Sequence, residues 1–377
     1  MIVFFVDIIN TTNRLLEINL LQIALGLRAA LPATPSNEEW LAAFTWAKNH
    51  SLIGLLYGGI ERLPKEQLPP KGLLIKWFGL ADYQKKQKLR FDAVMAEFAS
   101  LLAQEHIPYV VFKGLAVGAK YPQPELRTMG DIDFYVPPSD FDRAVEIIER
   151  NLGKIEEKDY VDKHFAFDWK DIRFEMHYQM ETFGYRPHQE YYGRLIDDAI
   201  KHRLAHFEAN GSQIPMLPAE LDLIHVFKHW MGHLIGEGVG LRQTTDLAVL
   251  INAYKGSIDI KKLKDYLSRI GYLKAFDAVV MLVEKYYTIG WPEYWQEPCG
   301  QKSLSPQSAA RYADVIFEDV MRNGNFGRSD YKYRDGWAKR LETTARFFRH
   351  CMRYYRLAPM EISCIIPKRI AISVKAH

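Results

Sequence analysis

The chain has 377 residues, a formal net charge of +3, 48% hydrophobic and 25% charged residues. Such a length buries a sizeable core and suggests two or three domains. The composition is that of a folded globular protein, and so small a charge gives no nucleic-acid partner from composition alone. Cys299, Cys351 and Cys364 are scattered, with no Cys-x-x-Cys or Cys/His spacing, which argues against a disulfide framework or structural zinc site and fits a reducing cytoplasm.

The apolar run Ile2–Val6 is interrupted by Asp7, with no basic segment before it and no small-residue cleavage site after it. A buried strand or an ill-ordered start is expected there, not a signal peptide or a membrane span. From about Asn13 to Glu105 the pattern is helical. Leu16, Leu20, Ile23 and Leu27 form one amphipathic stripe, and Ser36 followed by Glu38 and Glu39 reads as a capped helix start. Pro64, Pro69 and Pro70 punctuate a loop before a long helix through Trp77, Phe91, Phe98 and Leu102.

The period changes at Ile107. Ile107–Phe112 and Asp131–Val136 read as strands, Leu115–Lys120 and Ser139–Arg150 as helices, and His164–Trp169 with Ile172–His177 as a hairpin. Beyond Gln189 helices dominate again. A hairpin is expected around Asn210-Gly211, then helices between Leu221 and Tyr287, from Ser308 to Met321 and from Trp337 to Arg356. The tail from Cys364 reads as a strand or as disorder. The expected fold is α+β, a small mixed-sheet core flanked by helical regions. The expected division is 1–104 helical, 105–188 core and 189–377 mainly helical.

Strand alternation puts Asp131 and Asp133 on one face with Ile132 turned inward. Adjacent carboxylates repel each other unless positive charge lies between them, and a hard divalent cation such as Mg2+ is the simplest source. Glu175 on a later strand is the expected third carboxylate, with Asp168 and Asp171 as nearby alternatives. His177, on the same face as Glu175, is either its hydrogen-bond partner or a packed histidine.

The residues Phe112-Lys113-Gly114, Arg127, Gly130-Asp131-Ile132-Asp133 and Glu175 resemble the polymerase-beta-like nucleotidyltransferase superfamily. Within it they resemble the uncharacterised bacterial group labelled nucleotidyltransferase-like family 5. His225, His229 and Leu241–Asp246 look like that group's helical motif, and the resemblance spans roughly Leu20 to Phe326. It implies transfer of a nucleoside monophosphate from an NTP to a hydroxyl-type acceptor. Asp131, Asp133 and Glu175 would bind two Mg2+ (or Mn2+) ions and carry catalysis. Lys113, Gly114, Gly130, Arg127 and Arg242 would contact the nucleotide, with the backbone after Gly114 cradling phosphate. The wider superfamily usually carries Gly-Gly or Gly-Ser where this chain has Lys113-Gly114, so the serine hydroxyl that commonly touches phosphate is absent.

His225, His229 and His233 recur four residues apart on one helix face. They read as a polar face towards the active-site cleft, or alternatively as a zinc site. Arg242 and Asp246 read either as a helical ion pair or as a phosphate-binding arginine steadied by an aspartate. Arg346, Arg349, Arg353 and Arg356 form a basic helix face, either simply solvated or engaging RNA or an anionic membrane surface. Two rival functions are a catalytically silent nucleotide-sensing or partner-binding scaffold, and an Asp-x-Asp glycosyltransferase. The latter normally places its motif after a βαβαβ half that this chain's helical start does not provide.

Overall fold

The computed structural model describes residues 15–160, 164–297, 303–323 and 336–375. The Ile2–Val6 run and Cys299 lie outside the described residues. Helices α1 (Leu15–Ala24), α2 (Asn37–Asn49) and α3 (Ile53–Ile60) open the fold. Ser36 caps α2 as its sequence demands: its hydroxyl accepts from the Glu39 amide, and the Glu39 carboxylate accepts from the Ser36 amide. After Pro69-Pro70, α4 runs 34 residues from Lys71 to Gln104. Its first half buries Trp77 and Ala81 among the helices, while its second half lays Phe91, Met95, Phe98 and Leu102 on the sheet.

Among the described residues seven strands form one mixed sheet: β1 (Val110–Phe112), β2 (Asp131–Tyr135), β3 (Glu157–Asp159), β4 (His164–Trp169), β5 (Ile172–His177), β6 (Ala205–Ala209) and β7 (Ser212–Met216). Their order is β3-β4-β5-β2-β1-β7-β6. Strands β2 and β5 run parallel, as do β1 and β7, and the other neighbours are antiparallel. Both expected hairpins close through two-residue turns, Lys170-Asp171 and Asn210-Gly211. All four turn residues have positive φ, the conformation that suits the twist of paired strands. Arg90 on α4 pins the first turn by an ion pair to Asp171 at 2.7 Å.

The pleat divides the sheet between two cores. Ile132, Phe134, Phe174 and Met176 face α4 and α6 (Phe141–Asn151), whereas Val110, Phe112 and Tyr135 face a larger helical layer. That layer contains α7 (Arg186–His202), α8 (Ala219–Gly236), α9 (Leu241–Tyr254), α10 (Ile260–Arg269) and α11 (Leu273–Tyr287). It continues through α12 (Pro292–Gln296), α13 (Pro306–Asn323), α14 (Gly336–Tyr354) and α15 (Pro359–Lys375). The short α5 (Gly114–Gly118) connects β1 to the segment before β2.

One expectation is corrected, and one element was missed. The tail from Cys364 is helical, in α15, and not a strand or disorder. The run Ile362–Ile366 looks β-like by composition and Pro367 by itself suggests a break. Burial of Ile362 and Glu361 against the helical layer overrides both local preferences. Strand β3 was not anticipated, because Glu157-Lys158-Asp159 is charged and largely exposed; such charge suits a strand at a sheet edge.

Candidate active site

Parallel pairing of β2 with β5 sets Asp133 beside Glu175 and Tyr135 beside His177. Because Ile132, Phe134 and Phe174 point into the sheet core, Asp131, Asp133, Glu175 and His177 share the opposite face. Asp168 and Asp171, the alternatives to Glu175, lie away from this cluster, against Arg173 and Arg90 respectively. The acids open onto a cavity of about 400 Å³ whose lining includes Lys113, Gly114, Gly130, Asp131, Asp133, Glu175 and Arg242.

Asp133 is 5% exposed, and both of its charged contacts fall on Oδ1. Lys113 Nζ donates to it at 3.1 Å, and His177 Nε2 lies 3.1 Å away. His177 Nε2 also lies 3.7 Å from Glu175 Oε2. Burial alone would raise the Asp133 pKa, but the Lys113 ammonium and the His177 hydrogen bond outweigh it and hold the carboxyl well below its usual range. The adjacent His177 imidazole likewise lowers Glu175, against burial. Burial disfavours the His177 cation, yet its hydrogen bond to Asp133 and the neighbouring Glu175 carboxylate raise its pKa overall. Asp131 moves the other way, to about 6, through burial and repulsion from Asp133 and Glu175.

Lys113 sits at φ +53°, a backbone conformation that side-chain-bearing residues rarely adopt. Glycine adopts it freely. Here the strained lysine instead delivers its ammonium to Asp133. Gly114 follows because a Cβ there would stand 3.2 Å from the Asp131 carbonyl oxygen.

Arg127 and Asp246 meet across the cavity wall. The Arg127 guanidinium grips Asp246 through two hydrogen bonds, Nε to Oδ1 at 2.7 Å and Nη2 to Oδ2 at 2.9 Å. The Tyr121 hydroxyl donates to the same Oδ1 at 2.7 Å. Against the opposing effect of burial, Arg127 lowers the Asp246 pKa. The expected pairing of Asp246 with Arg242 is therefore replaced by a pair between Asp246 and Arg127. Arg242 lines the cavity with its Nε buried and without a hydrogen-bond partner among the described residues. Burial and the neighbouring Arg127 charge both lower the Arg242 pKa.

The three histidines of α8 separate. His225 is fully buried; Tyr192 Oη lies 3.0 Å from its Nδ1, and Phe112 packs edge-on against the ring. Burial pulls its pKa down to about 3. His229 and His233 reach the cavity as expected of a polar face. His229 Nδ1 lies 3.2 Å from Glu181 Oε1, and its Nε2 lies 3.1 Å from His233 Nε2. Lys228 Nζ approaches the same Glu181 carboxylate at 3.5 Å. Despite burial, Lys228 and the His229 hydrogen bond keep Glu181 ionised, well below its usual range. Glu181 was missed from sequence, since a single glutamate after a strand carries no local signal.

A second cavity, of about 540 Å³, shares Lys113, Glu175, His229 and His233 with the first and extends towards Tyr272, Phe347 and Lys368. The C-terminal basic row is not one face. Arg346 is buried, Arg353 pairs with Asp319 at 2.5 Å, and Arg349 and Arg356 are exposed. No described helix is long and apolar enough to cross a membrane.

A donor set can be tested against a divalent cation from these positions. Among the described residues, ligand atoms of Asp133, Glu175 and His177 all lie within 4.8 Å of one another. Oxygen-rich donors, with Asp131 short of positive charge beside them, fit a hard ion such as Mg2+ or Mn2+.

Two solved structures match part of the chain. One is the antibiotic-resistance factor ANT(2'')-Ia, 12% identical, matching over 54% of this chain and 100% of that one with a TM-score of 0.34. The other is an antigenic nucleotidyltransferase-like protein from Paracoccidioides brasiliensis, 13% identical over 49% of this chain and 87% of that one, TM-score 0.32. No curated protein matches the chain. Residues 36–288, about two thirds of the sequence, match the family described as "Uncharacterised nucleotidyltransferase", and the chain belongs to that family.

Proposed function

We propose that the chain is a metal-dependent nucleotidyltransferase that moves a nucleoside monophosphate from an NTP to a hydroxyl-type acceptor. The observation that carries this reading is the convergence of Asp131, Asp133 and Glu175 on one cavity that also holds Lys113 and Arg242. Asp133, Glu175 and His177, with Asp131 alongside, would hold Mg2+ or Mn2+, which when bound supplies Lewis acidity at the α-phosphate and acidifies the acceptor hydroxyl. Arg242, which lines the same cavity, would set its positive charge against the triphosphate, and Lys113 adds positive charge as negative charge shifts towards pyrophosphate. Gly114 and Gly130 let backbone approach the phosphates closely. Arg127 acts through Asp246, fixing α9 and hence the position of Arg242.

The test is thermal stability of the wild type and of Asp131→Ala/Asp133→Ala with each NTP, with and without Mg2+ or Mn2+. A ligand at a hundredfold excess over its dissociation constant stabilises by about 2.7 kcal/mol. A cation-dependent shift in the wild type that the double variant lacks supports the site. Absence of any shift in the wild type refutes it, and a shift with no transfer to any acceptor favours a nucleotide-sensing scaffold.

A further inference from the structure

The two cavities share Lys113, Glu175, His229 and His233, and the part of the second that extends beyond these and His177, towards Tyr272 and Phe347, has no role assigned so far. Glu181, held ionised, accepts, so its 3.2 Å contact places a proton on His229 Nδ1; burial and the Lys113 charge disfavour the imidazolium, which leaves the lone pair on Nε2. That nitrogen faces His233 Nε2 at 3.1 Å, which must then donate to it. Both rings border both cavities, beside Lys113 and Glu175. A carboxylate holding a histidine in one tautomer, on a ring that lines a substrate-sized cavity, is the arrangement of a general base. The 540 Å³ volume suits a small organic molecule, with Tyr272 and Phe347 as walls.

We propose that a small hydroxyl-bearing acceptor enters by the second cavity and that His229, held by Glu181, takes the proton from its hydroxyl. This rests on the nucleotidyl-transfer reading above. The acceptor hydroxyl displaces the His233 N–H as donor to His229 Nε2. Its O–H bond breaks as the proton passes to Nε2, and the oxygen forms a bond to the α-phosphorus. The bond from that phosphorus to the bridging oxygen breaks, and pyrophosphate leaves with the electron pair. The imidazolium then returns its proton to solvent.

Pyrophosphate release is measured on the full chain with Mn2+, each NTP in turn, and glycerol as the probe alcohol. His229→Ala and His229→Gln are expected to lower turnover at least ~100-fold, the usual worth of a general base. Their NTP-induced thermal shift should stay at the wild-type value, and added imidazole should restore turnover to His229→Ala. Gly232 lines the second cavity, and a Cβ there meets nothing within 4 Å. Gly232→Leu should therefore raise the KM for glycerol without changing the NTP-induced shift. Nitrogen-15 spectra of the wild type should show His229 protonated on Nδ1 and bare on Nε2; the reverse tautomer overturns the assignment whatever the turnover. Unchanged turnover in the His229 variants, a loss that imidazole does not rescue, or an equal loss in His233→Ala also overturns it and leaves nucleotidyl transfer standing. No pyrophosphate from the wild type with any NTP removes both.

Discussion

Removing the Asp246 carboxylate tests how the cavity wall is built. Arg127 and Asp246 are each 5% exposed, and their two hydrogen bonds of 2.7 and 2.9 Å are reinforced by Tyr121 at 2.7 Å. Asp246→Ala leaves a guanidinium buried without its counterion and a hydroxyl without its acceptor. Breaking one side of such a pair costs about 3–5 kcal/mol, mostly the penalty of the stranded charge. Arg127→Met/Asp246→Leu removes both charges, so its loss should be smaller than the sum of the single losses by about 2–3 kcal/mol. Urea unfolding monitored by tryptophan fluorescence and far-ultraviolet dichroism gives these energies directly. The reasoning is refuted if Asp246→Ala lies within about 1 kcal/mol of the wild type, or if the single losses simply add. Equal losses from Arg242→Ala and Arg127→Ala would reinstate the helical pairing of Asp246 with Arg242.

Arg242→Ala removes a charge that burial and Arg127 already disfavour, so unliganded stability should change by no more than about 1 kcal/mol while the NTP-induced thermal shift falls; a preserved shift would remove Arg242 from the nucleotide site. Burial lifts the Asp222 carboxyl to about 6, leaving Tyr254 as the donor on one of its oxygens. A raised carboxyl favours the neutral form in the fold, so its stabilising contribution is present below pH ~4 and lost as pH rises through ~6. Asp222→Asn should match the wild type near pH 4 and exceed it by about 2–3 kcal/mol at pH 8; a pH-independent difference would contradict this. Glu361 accepts from the amides of Gly184 and Tyr185 at 2.7 and 3.2 Å and contacts His188 Nδ1 at 2.6 Å. Glu361→Ala should cost about 3 kcal/mol and speed amide exchange at residues 184 and 185, and unchanged exchange there would count against the anchor.

The strand of paired acids was legible because its signal is local: two aspartates at strand spacing with Ile132 between them, and a hairpin whose alternation aligns Glu175. The α+β class followed from the change of period at Ile107. The partner of Asp246 was not legible, since helical spacing favours Arg242 while the real partner is 119 residues upstream. Glu181 was invisible for the same reason: its meaning comes from α8, 48 residues later, where His229 turns towards it. Local composition also misjudged the tail, where burial of Glu361 and Ile362 outweighs a β-branched run and a proline. Periodicity identifies faces, but it does not say which charged groups on two faces will meet.

The Glu361 anchor also sets an order of events during synthesis. Its bond to His188 spans 173 residues, so the turn at residues 184–185, just after Glu181, cannot be fastened until α15 has left the ribosome. At 5–20 residues per second that interval is roughly 10–35 s. Through it, β2 and β5 already carry their acids while the second cavity lacks its far wall. On the proposed reading, the residues assigned to the nucleotide emerge before those that close the acceptor cavity, so the timing of translation itself separates the two halves of the site.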